Sequence, residues 1–362
     1  MTAYSHLLTD KSDLGHTRIE TGDTPQAGPG EIMVKLDRFS LTTNNITYAA
    51  FGDAMQYWHF FPTGQDGWGH MPVWGFADIV ASDIAGLEVG ERFYGYFPIA
   101  SHFVMRPERI TQRGFYDGAE HRRGLVSAYN QYTRCSEDAV YQPDREAFQA
   151  LYRPLFITSF MLADFLEDNG YFGARQLIVS SASSKTAYGT AFCLSEDRIP
   201  SIALTSRRNT DYVAGLGCYD SVADYRDVES LDAGIPAIYV DFSGDNALRA
   251  RIHEHFGDNL LHDCFAGSAA TTDYISKQDI PGPKPVAYFA PNQIKKRNAD
   301  WGGAEVTRRY NAAESVFFSH LETAEPSWMT LDVQRGFDAA QAVIKDLATN
   351  GGDPATGHII EL

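Results

Sequence analysis

Between residues 175 and 291, short apolar runs recur at a regular interval, and no other feature restricts the fold as strongly. The runs are RQLIVSS (175–181), PSIALTS (200–206), CYDSVADY (218–225), PAIYVDFSG (236–244), NLLHDCFAG (259–267) and KPVAYFAP (284–291). Between most of them lie stretches with helical spacing, such as TAYGTAFCLSED and DNALRARIHEHFG. Strands that alternate with helices build a parallel sheet covered on both faces. The flanks read differently. EIMVKLDRFSL (31–41) alternates, with Ile32, Val34 and Leu36 on one face, after the turn signal AGPG. VWGFADIVAS and ERFYGYFPIASHFVM are further strand candidates, and from Arg145 the spacing turns helical. Helices near 303–323 and 334–349 precede a last strand, GHIIEL.

A length of 362 residues suggests two domains, or one that is interrupted. The formal net charge of −17 disfavours nucleic acid or an anionic membrane as the main partner, because either needs a basic surface. No stretch approaches the roughly 18 continuous apolar residues of a membrane span, and MTAYSHLLTDKSDLGH does not read as a signal peptide. Cys135, Cys193, Cys218 and Cys264 lie far apart, which fits a reducing cytoplasm better than a disulfide framework or a thiolate zinc site. The partner these features leave is a small molecule.

The order of these pieces resembles the medium-chain dehydrogenase/reductase superfamily, of the alcohol dehydrogenase and quinone oxidoreductase type. GPGEIMVKLDRFSLTTNNITYAAFGD is similar to the start of its GroES-like catalytic domain. MPVWGFADIVASDIAGLEVGERFYGY is similar to the strand–turn–strand that ends in a VGDRV step, here VGERF (89–93). TGHIIEL (356–362) resembles the closing GKIVL strand. The resemblance implies an α/β fold: a GroES-like β domain from residues 1–142 and 324–362, plus an inserted Rossmann-type doubly wound parallel sheet over 143–323. Zinc-dependent members carry a cysteine ligand near Asn44, a GHE where this chain has Trp74-Gly75-Phe76, and four closely spaced cysteines. None is present, and His59 and His70 have no cysteine near them. A catalytic zinc needs three protein ligands, so the expectation is no metal and a place among the zinc-free reductases.

In the first strand-to-helix turn, VSSASSKTAYGT (179–190), the glycines that let backbone approach a pyrophosphate are missing. Ser180, Ser181, Ala182, Ser183, Ser184, Lys185 and Thr186 stand there instead. Amides at a helix N-terminus still attract anions, hydroxyls add donors, and Lys185 adds a point charge. The P-loop pattern is met only in Lys185-Thr186, with Ser184 and Val179 at its glycine places. Serines also cap helices with no ligand; the six alternating strands favour the phosphate site. At the end of the second strand an acidic residue would take the ribose hydroxyl of NAD, and an arginine the 2′-phosphate of NADP. Here Ser206, Arg207 and Arg208 favour NADP(H), against the alternative of a solvated helix start. The run Lys295-Lys296-Arg297 reads either as an exposed basic loop or as a contact to an acidic ligand.

The resemblance places Asn44, Asn45 and Tyr48 where zinc-free members use polar groups near the nicotinamide. A carbonyl that accepts hydride builds negative charge on oxygen, and without zinc a hydroxyl or amide must answer it. Tyr48 is the expected proton donor, since a tyrosine keeps its proton at neutral pH; Tyr57, Tyr94 and Tyr96 compete for the role. Tyr57, Trp58 and Phe61 are the expected wall for a planar substrate, with an aromatic minicore or subunit interface as the alternative. The expected activity is a zinc-independent, NADP(H)-dependent oxidoreductase acting on an aromatic or conjugated carbonyl compound. A lyase or isomerase that keeps the nucleotide without net redox, and a non-catalytic dinucleotide sensor, are the alternatives. A homodimer is compatible with all three.

Overall fold

The structure is a computed structural model that describes residues 4–194, 198–267 and 280–362. It begins with a hairpin of β1 (Tyr4–Asp10) and β2 (Thr17–Gly22). β3 (Ile32–Leu41) buries Ile32, Val34 and Leu36, as its alternation requires. The helix α1 (Thr43–Ala50) follows at once, capped by Thr42. β4 (Trp68–Gly69) joins β1, and β5 (Pro72–Ser82) pairs with β3. The run at 91–105 is two strands, β6 (Arg92–Pro98) and β7 (His102–Met105). β8 (Pro107–Thr111), β9 (Gly114–Asp117) and β10 (Gln131–Arg134) complete this stretch.

The long helix α2 (Glu146–Asp168) leads into the alternating part. Its elements are β11 (Gln176–Val179), α3 (Lys185–Cys193), β12 (Ser201–Thr205), α4 (Thr210–Leu216) and β13 (Ser221–Asp224). β14 (Ala237–Asp241), α5 (Asn246–Phe256), β15 (Leu260–Phe265) and β16 (Val286–Ala287) follow. Then come α6 (Ala290–Trp301), α7 (Gly303–Thr323), β17 (Thr330–Arg335), α8 (Gly336–Asn350) and β18 (Thr356–Glu361).

Residues 1–151 with 330–362 form one unit and 152–329 the other. The first holds a nine-stranded sheet in the order β17-β18-β3-β5-β6-β10-β9-β8, with β7 also on β3. Its core packs Ile32, Phe39, Val73, Phe97, Val343 and Ile344. The second holds six parallel strands in the order β13-β12-β11-β14-β15-β16. Every residue of β11 and β14 is buried, the state of a parallel strand covered on both faces.

Two expectations need correction. KPVAYFAP yields only a two-residue strand, because α6 already begins at Ala290 with a proline in its first turn. The basic run therefore lies on a helix, not a loop, and carboxylates meet two of its cations. Lys296 bridges Asp168 at 2.9 Å and Asp300 at 2.7 Å, while Arg297 reaches Asp164 at 2.7 Å and covers the Trp301 ring.

Candidate functional site

Strand order in the six-stranded sheet reverses between β11 and β14, and open α/β sheets bind ligands outside the carboxyl ends of strands at such a point. The turn after β11 is the serine-rich one. Ser181 adopts a left-handed backbone (φ 49°), a conformation that a glycine would hold without strain. Ser184 caps α3 by accepting from the Ala187 amide at 3.3 Å.

Most amides of this turn have partners inside the protein. Ser181 N–H donates to the Tyr225 hydroxyl at 2.9 Å, Ala182 N–H to the Leu204 carbonyl at 3.1 Å, and Ser184 N–H to the Ser181 carbonyl at 2.8 Å. Three donors that a glycine-rich turn would turn toward a phosphate are thus used inside the protein. The anion-binding capacity shifts to side chains: the Ser183 hydroxyl, which accepts from Asn209 at 3.2 Å, and half-buried Lys185 and Thr186 in the first turn of α3. A dinucleotide pyrophosphate at this turn would meet hydroxyls and an ammonium rather than a backbone nest.

Ser206 opens the short turn Arg207–Asn209 at the end of β12, with both arginines exposed. Asp224, at the end of β13, lies beside it in register with Thr205. Hydrogen bonds from the Arg226 side chain and backbone hold the Asp224 carboxyl down at about 2, and Arg207 adds a weaker pull. Asp224 comes from the third strand, so an acid sought only after the second strand does not include it. The run CYDSVADY held that signal.

In the other unit, the aromatic residues of 48–61 other than Trp58 fold as a minicore. Tyr48, Phe51, Tyr57, Phe60, Phe61 and Tyr96 are buried together, with Trp74 and Tyr129 packed against them. The Tyr48 hydroxyl accepts from Trp74 Nε1 at 3.3 Å and also bonds Asn44 and Tyr129; the Tyr57 and Tyr129 hydroxyls meet at 3.2 Å. Burial, and next the Tyr57 hydroxyl, push the Tyr48 phenol up to about 12. The buried Tyr96 hydroxyl has no partner among the described residues. Tyr129, which arrives from a segment far along the chain, joins the Tyr48 and Tyr57 hydroxyls.

Asn45 and Trp58 are placed otherwise. Asn45 accepts from the Thr42 amide at 2.8 Å and donates to the Pro72 carbonyl at 2.9 Å, so both ends of its amide serve the start of α1. Trp58 packs into the sheet core between Gly52 and Gly69, where an added Cβ would lie 2.0 and 2.4 Å from the indole. Phe61 is buried under Arg122, whose guanidinium sits 4.7 Å from its ring. His59 is exposed, whereas His70 is buried and bonded to the Phe61 carbonyl and His6. Among the described residues no group of three His, Cys, Asp or Glu is placed to hold a metal ion. Among the described residues no helix is long and apolar enough to cross a membrane.

The sequence model of the family described as "Protein of unknown function (DUF2855)" matches residues 39–353. The chain belongs to this family. Among curated proteins no sequence matches. Solved structures similar to this DUF2855 member include CurA from Vibrio vulnificus in complex with NADPH, at 12% identity and a TM-score of 0.62, over 99% of this chain and 98% of that one. A putative NADPH:quinone reductase from Mesorhizobium loti is similar at 12% identity and 0.59, over 100% and 99%. The Etr1p/NADP/crotonyl-CoA complex is similar at 11% identity and 0.57, over the whole of both chains. These likenesses establish the fold that the resemblance implied, a GroES-like β domain with a Rossmann-type sheet.

Proposed function

We propose that the chain is an NADP(H)-dependent, zinc-independent oxidoreductase acting on aromatic or conjugated carbonyl compounds in the cytoplasm. One observation carries the reading: the strand order reverses beside the serine–lysine turn that opens α3, with Arg207 and Arg208 at the end of the next strand. Similar solved structures that hold NADPH or NADP support it. The four free thiols suit a reducing compartment.

When bound, the nicotinamide supplies or accepts the hydride. Ser183, Lys185 and Thr186 hold the pyrophosphate, Ser181 and Ser184 shape the turn around it, and Ser206, Arg207 and Arg208 take the 2′-phosphate. Tyr48, steadied by Asn44, Trp74 and Tyr129, presents a proton to the substrate oxygen, and Tyr57 flanks it.

Titration with NADPH and NADH tests the cofactor assignment. Arg207→Ala should weaken NADPH by roughly ten- to a hundredfold, the loss of one charge-assisted contact, and leave NADH within twofold. Equal weakening of both, or a wild-type preference for NADH, would sink the assignment.

A further inference from the structure

Four ionisable side chains from β14, β15 and α5 lie out of solvent together: Asp241, Asp263, Arg249 and His253, each at most 3% exposed. Arg249 bonds Asp241 Oδ2 and places its Nε 3.0 Å from Asp263. His253 stands between two acceptors, Asp263 at 2.9 Å and the Pro281 carbonyl at 2.6 Å.

The other oxygen of Asp241 is a hub. Oδ1 accepts from the Ser180 hydroxyl at 2.7 Å, the Tyr239 hydroxyl at 3.0 Å, the Ser243 amide at 2.8 Å, the Ser243 hydroxyl at 2.7 Å and the Gly244 amide at 3.1 Å. Ser180 Oγ in turn accepts from the amides of Phe242 and Ser243 at 3.0 and 3.2 Å. Ser180 begins the turn after β11, and Ser243 and Gly244 lie in the turn after β14. These are the two turns that flank the reversal of strand order.

Buried ion pairs are poor stabilisers, because desolvation cancels most of the attraction and apolar residues of equal volume would hold the fold as well. Asp263 Oδ1 even lacks a donor among the described residues. The cluster therefore asks for another reason. The missing glycines supply one: Ser180 stands at the mouth of a glycine-free turn because its hydroxyl is the strut that reaches the opposite wall.

We infer that Asp241, anchored by Arg249 and through it by Asp263 and His253, is a positioning residue. It locks the turn after β11 to the turn after β14 and fixes the width of the crevice between them. The ligand so positioned is the dinucleotide of the proposed function, on which that part of the inference rests. Locking by side chains takes over the task that close backbone packing performs in a glycine-rich turn.

The test is Ser180→Ala in the full chain, with Ser243→Ala beside it; Asp241→Asn strikes the same point but risks the fold. Amide hydrogen exchange should accelerate in both turns, 181–184 and 242–245, whichever serine is changed. The double variant should add little to either single one, since both act through one carboxylate. The NADPH dissociation constant of Ser180→Ala should rise at least tenfold while the thermal midpoint stays within a few degrees. Acceleration confined to the substituted turn overturns the inference, as does unchanged NADPH affinity with a lowered midpoint. If the wild-type chain binds no NADPH, the proposed function fails, and the exchange coupling alone decides whether Asp241 locks the two turns.

Discussion

Asp117→Ala should destabilise the β unit by about 3–5 kcal/mol, the usual result of stripping the partner from a buried charge. The thermal midpoint should fall by on the order of 10 °C. Arg122 and Asp117 are both essentially inaccessible to water and bond at 2.8 Å. Arg122 also donates to the Tyr132 hydroxyl at 3.0 Å and the Phe60 carbonyl at 3.3 Å, while Asp117 Oδ1 accepts from the amides of Arg106 and Ala119. Alanine leaves a guanidinium among Phe60, Phe61 and Phe103 with nothing to balance it. The double change Asp117→Leu with Arg122→Met removes both charges and should be milder than the single one. Chemical denaturation measures both, and a loss below about 1 kcal/mol for Asp117→Ala would contradict the account.

Tyr48→Phe should reduce turnover at least tenfold, within the 10²–10⁴ typically lost with a positioned general acid, and leave NADPH affinity and thermal stability near wild type. The phenol is raised to about 12 by burial, so it keeps its proton through the neutral range. An unfolded tyrosine ionises near 10, so Tyr48 contributes its full stability below that pH and loses it as the pH climbs toward about 12. No limb of a pH–rate profile between about 6 and 9 should then belong to Tyr48, and the Phe variant should keep the wild-type profile shape there. Turnover within twofold of wild type would make Tyr48 a packing residue of the minicore.

The parallel sheet was legible because its strands are covered on both faces: LIV (177–179) and AIYV (237–240) are continuous apolar runs, and each lies in a strand. β1 and β2 escaped because most of their residues are half-buried, which blurs the two-residue alternation. KPVAYFAP misled because one apolar run serves a short strand and then a helix start. In the aromatic loop, composition alone cannot separate a substrate wall from a minicore. The decision lies in distant partners: Gly52 and Gly69 clear the space that takes Trp58 inward. Asn45 was readable, since Thr42 and Asn45 hold the spacing of a capping box. The amides of Ser181 and Ala182 were not, because Tyr225 and Leu204, which use them, arrive from other strands of the sheet.

β18 pairs antiparallel with β3, setting His358 opposite Leu41, and β17 adds parallel to β18. This threading sets an order of events during translation. At about 5–20 residues per second, roughly 15–60 s separate the synthesis of β3 from that of its last partner. The inserted unit leaves the ribosome in that interval, before the sheet that surrounds it in sequence can close. A nascent chain stopped short of residue 356 presents Arg38–Leu41 as an unpaired strand edge, the kind of surface that recruits a second chain.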